Sequence, residues 1–161
     1  MEIVQPIRDR KKIEQMKKAL VNPRDKLLFV IGINSGLRIS DILPLKVRDL
    51  RGKQSLTIRE EKTGKPKTFR FNNAILTAIN EFIPPDATDD DYVFQSRKGV
   101  NKPITRIQAY RILNEAARRV GIADQIGCHT LRKTFGYHAY KSGVDLALLQ
   151  SIFNHSSQAV T

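Results

Sequence analysis

Cys128-His129-Thr130-Leu131-Arg132-Lys133-Thr134-Phe135 follows Gly127 and leads into a helical pattern that runs to Lys141. His129 and Arg132 are three apart, so on a helix they point the same way, from a first turn whose free N–H groups already favour an anion. A histidine and an arginine aimed at one point beside a helix start suit a phosphate group. His-x-x-Arg also describes an ordinary surface helix start, so the reading depends on basic groups elsewhere in the chain.

The composition supplies such groups. Of 161 residues, 28 are Lys or Arg and 16 are Asp or Glu, giving a formal charge of +12. That balance points to a polyanion, most simply nucleic acid, held first by electrostatic attraction. A membrane is the rival partner. No apolar run approaches a span, no signal peptide opens the chain, and no basic amphipathic helix with a large apolar face stands out. The single Cys128 excludes an internal disulfide and fits the cytoplasm. The length suits one domain with a real core.

Periodicity places the elements. Residues 10–20 carry Ile13, Met16, Lys17 and Leu20 at helical spacing. Asn22-Pro23 breaks this helix and starts the next, an apolar stretch over residues 24–35 that Gly36 stops. A short helix follows from Leu37, closed by Pro44. Residues 46–49, 55–61 and 67–71 alternate as strands, with turns at Gly52 and Gly64-Lys65-Pro66. Leu56 and Ile58 share one face, and Phe69 and Phe71 another. A helix capped by Asn72 runs to Ile83, an acidic loop to Asp91 follows, and Tyr92-Val93-Phe94 is extended. Thr105 caps a helix to about Val120, and two further helices cover 129–141 and 145–153. The expected fold class is α+β: mainly helical, with one small three-stranded antiparallel sheet.

Five groups then fall at the edges of regular elements, where a scaffold usually displays functional side chains. Arg38 lies just past a buried helix, Lys62 at the rim of a hairpin, His129 and Arg132 at a helix start, and His155 just past the last helix. Gly36-Leu37-Arg38-Ile39-Ser40-Asp41, Lys62-Thr63-Gly64, His129-Thr130-Leu131-Arg132 and Asn154-His155-Ser156-Ser157 resemble, in order and spacing, the motifs of the tyrosine recombinase (phage integrase) family. Each motif is weak alone, but four in the right order, with the sheet between the first and third, are specific. The resemblance covers the chain from about Arg10 onward. It implies a mainly helical catalytic domain that cuts and rejoins DNA through a 3′-phosphotyrosine, without metal, ATP or another cofactor, and that self-associates on DNA.

The resemblance assigns Arg38 and Arg132 to the nonbridging phosphate oxygens, a role suited to planar donors that never lose their charge. It gives His155 a further hydrogen bond to the phosphate, His129 a part in proton transfer, and Lys62 the general acid for the departing 5′-oxygen. Lys65 and Lys67 are neighbours that could serve instead; strand parity and motif spacing favour Lys62. Asp41 supports the site by pairing with a basic member. His138 has no place in the pattern and reads as structural. The run Asp89-Asp90-Asp91 reads as a solvated loop, because consecutive carboxylates diverge around a backbone.

The sequence departs from the family in one respect. The nucleophilic tyrosine is expected after the His155 motif, yet Tyr92, Tyr110, Tyr137 and Tyr140 all precede it and six residues follow it. Residues 1–161 therefore read as a single catalytic domain that stops before its nucleophile and lacks the family's N-terminal core-binding domain. A non-catalytic DNA-binding module or regulator that keeps the phosphate pocket is the alternative. A metal-dependent nuclease is disfavoured, since no well-spaced acidic triad is visible.

Overall fold

A computed structural model describes residues 5–59, 63–127 and 129–143. Among them are seven helices and two strands, in the order α1 (Arg10–Ala19), α2 (Pro23–Ser35), α3 (Ile39–Ile42), α4 (Val47–Leu50), β1 (Ser55–Arg59), β2 (Pro66–Arg70), α5 (Asn73–Phe82), α6 (Arg106–Arg119) and α7 (Thr130–Lys141).

The central element is α2. Asn22 caps it by accepting from the Arg24 amide, Pro23 occupies the first turn where no amide is needed, and Gly36 ends it at φ 70°. Five consecutive residues, Leu27 to Ile31, are buried, because α2 is covered on several sides, chiefly by α5 and α7. Burying an apolar side chain of the size of Leu28 or Phe29, both fully enclosed, stabilises the fold by about 1.5–3 kcal/mol. Helix α7 comes close to α2 at Gly32. A Cβ built there would lie 2.5 Å from the Leu131 Cδ1 atom, so only glycine admits Leu131 at this depth. The residue after Leu131 is Arg132, so this contact fixes the start of α7 against the end of α2, from which the chain turns to Arg38.

The remaining caps act as expected. Asn72 accepts from the Ile75 amide to open α5, and its amide also donates to Asn34 on α2. Thr105 and Gln108 form a reciprocal capping box at α6. The N-terminal arm is tied to α7 at Ile7, whose amide donates to Thr134 Oγ1 at 2.9 Å and whose carbonyl lies 2.8 Å from His138 Nε2.

Two expectations about the sheet need correction. The sheet has two strands among the described residues, not three, because residues 47–50 form the helical turn α4. Val47 and Leu50, three apart, are both buried, and Asp49 closes the turn by accepting from the Lys46 amide at 2.9 Å. Local capping and a helical burial period thus override an apparent alternation. Lys46 makes only an isolated bridge to Tyr92, and Gln95 another to Pro103, so the expected extended piece at 92–94 is two bridges flanking a turn. The strand faces also differ. β1 and β2 are antiparallel, with Leu56 opposite Phe69 and Ile58 opposite Lys67, and directly opposed residues share a face. Leu56, Ile58, Phe69 and Phe71 therefore line one face, continued by the bond from the Phe71 amide to the Gln54 carbonyl.

Candidate active site

The functional side chains emerge where short connections leave the helical core. Arg38 is the residue before α3, in extended conformation (φ −72°, ψ 149°), and its carbonyl accepts from the amides of Asp41 and Ile42. Ile39 and Ile42, buried at 3% and 0% exposure, anchor this turn and leave the Arg38 side chain exposed. Asp41 is half-buried on the same turn.

His129 occupies the position before α7 (φ −108°, ψ 0°), and Arg132 stands in the first turn. The start of α7 is held from inside. Thr130 is 2% exposed; its hydroxyl accepts from the Gly127 amide at 2.9 Å and its own amide donates back to the Gly127 carbonyl. One turn on, the fully buried Thr134 donates to the Thr130 carbonyl at 2.7 Å. With Leu131 also buried, the inward face of the turn consists of Thr130, Leu131 and Thr134, while His129 is exposed and Arg132 half-buried.

The electrostatics show which groups share one site. Burial is the largest influence on the Arg132 guanidinium and lowers its pKa; the charge of Arg38 lowers it further, and Asp41 raises it. Arg132 remains charged, since a guanidinium starts far above neutrality. Arg38 and Arg132 therefore stand close enough to repel, and Asp41 offsets part of that repulsion. His129 lies below the usual 6.5 for the same kind of reason: lost hydration of the ring first, then the charges of Arg132, Lys133 and Arg38. Although the residue as a whole is exposed, its imidazole is partly desolvated. Cations grouped around a neutral imidazole favour an arriving anion.

The structure thus brings Arg38, Asp41, His129 and Arg132 together. Lys62 and His155 lie outside the described residues. Of the neighbours of Lys62, Lys65 is exposed and Lys67 stacks over Phe69 at 5.5 Å. His138 serves the N-terminal arm rather than the site. The acidic run is engaged locally: Asp90 pairs with Arg48, the Asp89 carbonyl accepts from the Arg48 amide, and Asp91 accepts from the Thr88 amide. Tyr137 lies between Arg8 and Lys141 at 5.7 and 5.9 Å, edge-on to His138, while Tyr140 is 58% exposed. Sequence reasoning did not pick out Lys133, whose charge acts on His129, although its place beside Arg132 was a signal.

A pH effect follows from the lowered pKa of His129. Below about pH 6.5 the unfolded chain binds the proton more readily than the folded one, so folded-state stability falls as acid titrates the folded imidazole. A bound phosphate reverses the preference for the neutral ring. Anion binding there would take up a proton, so affinity for a phosphate-bearing ligand is expected to rise as pH falls through the histidine range. His129→Gln is expected to remove this part of the pH slope in anisotropy titrations at constant ionic strength; an unchanged slope would exclude His129 from the site.

Comparisons with known proteins place the chain among its relatives. The model of the phage integrase family matches residues 9–161. A probable integrase/recombinase of Bacillus subtilis, YoeC, is 50% identical over 163 aligned residues, which cover all of this chain and 88% of that protein. The tyrosine recombinase XerA of Pyrococcus furiosus is 31% identical over 140 residues, covering 86% of this chain and 48% of its own. The crystal structure of the XerH site-specific recombinase bound to its difH substrate has the same fold, with a TM-score of 0.74 at 20% identity, covering 99% of this chain and 50% of that one. The chain spans about half the length of these two recombinases. Together with the cation cluster at the start of α7, the match over nearly the whole sequence leads to one conclusion: the chain belongs to the phage integrase family, the tyrosine recombinases.

Proposed function

We propose that this domain holds one phosphodiester of duplex DNA between Arg38, Arg132 and His129 and serves site-specific strand cleavage and rejoining. The observation that carries the reading is the grouping of Arg38, Asp41 and His129 around the half-buried Arg132 at the start of α7. In the reaction a tyrosine oxygen attacks phosphorus, the bond to the 5′-oxygen breaks, and a 3′-phosphotyrosine forms. Arg38 and Arg132 stabilise the charge that grows on the nonbridging oxygens. Lys62 delivers the proton to the departing 5′-oxygen, His155 donates to the phosphate, and His129 handles the proton of the tyrosine. The relatives' names, integrase and recombinase, support a strand-joining reaction, and the charge of +12 supports a polyanion as its substrate. Strand exchange joins ends held by different subunits, so self-association on DNA belongs to the same reading.

None of Tyr92, Tyr110, Tyr137 and Tyr140 is assigned the nucleophile. Tyr92 lies under Lys46 at 5.1 Å, Tyr110 packs against the core from α6, and Tyr137 has the cations of Arg8 and Lys141 over its ring. The test is a labelled suicide duplex incubated with the 161-residue chain. The chain is expected to retard the duplex on a native gel and to leave no covalent band on a denaturing gel. A covalent band lost in Tyr137→Phe or Tyr140→Phe would relocate the nucleophile to α7. Failure to retard duplex DNA at low salt would overturn the DNA reading itself.

A further inference from the structure

The segment between α6 and His129 contains no helix or strand among its described residues, yet it must deliver the imidazole to a defined place. Its fixed point is Ile126, 2% exposed. The Asn114 side chain on α6 meets the Ile126 backbone with both halves of its amide. Its Oδ1 accepts from the Ile126 amide at 2.8 Å, and its Nδ2 donates to the Ile126 carbonyl at 3.0 Å. The same Nδ2 donates to the Tyr110 carbonyl at 2.8 Å, which fixes the rotamer against its own helix. Both amide protons are thereby used, and the carboxamide orientation is determined by its partners. Gly127, the next residue, exchanges two hydrogen bonds with Thr130. His129 is thus separated from the Asn114 clamp only by Gly127 and residue 128.

We propose that Asn114 is a positioning residue for the phosphate site, setting the height and direction of the segment that presents His129 beside Arg132. This rests on the phosphate reading of the site given above. The role needs a side chain that both accepts from the N–H and donates to the C=O of a single residue. Asparagine does this at the reach available from α6. Aspartate would set a carboxylate oxygen against two carbonyl oxygens, and alanine would leave both Ile126 groups without these bonds.

The test follows His129 directly. Proton NMR titration of the 161-residue chain resolves its three histidines, assigned by single His→Gln substitutions. In the wild type, His129 is expected to titrate below the usual value and to respond to added inorganic phosphate. The charged groups acting on it are Arg132 and Lys133 from α7 and Arg38 from the turn before α3, with Asp41 acting through Arg132. In Asn114→Ala the His129 titration should move back toward that of a free histidine, and phosphate should bind about tenfold more weakly at that signal. The ring signals of His138, held on the far part of α7 by Ile7, should keep their chemical shifts, which separates displacement of the segment from general loosening. Asn114→Gln keeps both amide functions one methylene further out; it should show a smaller shift in the same direction and carries the test should the alanine variant not fold. An unmoved His129 in a folded variant would overturn the proposal. If wild-type His129 ignores phosphate but shifts on Asn114→Ala, the positioning role stands and the phosphate reading falls.

Discussion

Raising monovalent salt from 50 to 200 mM is expected to weaken binding of this chain to duplex DNA by about a thousandfold, if about six phosphates are neutralised on docking. The reason is counterion release: each phosphate paired with a lysine or arginine frees condensed cations, and bulk salt opposes their release. The excess of 12 cationic groups supplies enough partners for such a contact set. Charge pairs formed at an exposed surface are screened by the same salt. Filter binding or anisotropy across that range gives the slope of log affinity against log salt. A slope near zero, or tighter binding to anionic vesicles than to DNA, would reject nucleic acid as the partner. Base sequence should matter little to this slope, because phosphate contacts position the protein without reading bases.

The elements that sequence reasoning located correctly are those governed by local chemistry. Asn22, Asn72 and Thr105 each accept from an amide two or three residues ahead, and Gly36 takes the positive φ that stops α2. Such signals sit within a few residues and are visible without a fold. Four consecutive residues at Lys46 carry too few positions to separate a period of two from a turn of helix, so burial had to decide between them. The strand faces were hidden for a related reason: parity within a strand is local, but which faces coincide depends on the register across the hairpin. For the site, the His129–Arg132 spacing and the place of Arg38 after a buried helix were legible as motifs. What the sequence could not disclose is the wiring beneath them. Ile7 bonds to Thr134, Thr134 to Thr130, Thr130 to Gly127, and Asn114 to Ile126, so the N-terminal arm and α6 grip the two sides of one turn. These pairs span up to 127 positions and follow no period.

Arg132→Ala is expected to lower the rate of covalent strand cleavage by about 10²- to 10³-fold, the range for removing one prepositioned donor from a developing oxyanion. The rate is read in single turnovers on a suicide duplex, in a form of the protein that gives the covalent adduct. Two losses combine. The phosphate loses a planar donor already half-buried and aimed from the first turn of α7, so no reorganisation accompanies its action. Asp41 loses the cation whose charge it offsets, so its negative charge stands less compensated in the site. Arg132→Lys should recover little, because an ammonium keeps the charge but not the fork of donors that matches two oxygens. Asp41→Asn should cost less than Arg132→Ala, since it leaves the clamp itself in place. Overall DNA affinity should change by less than about tenfold, because one phosphate contact among several is removed. A rate within threefold of wild type, with the variant folded, would show that the charge cluster at the start of α7 binds DNA without taking part in cleavage.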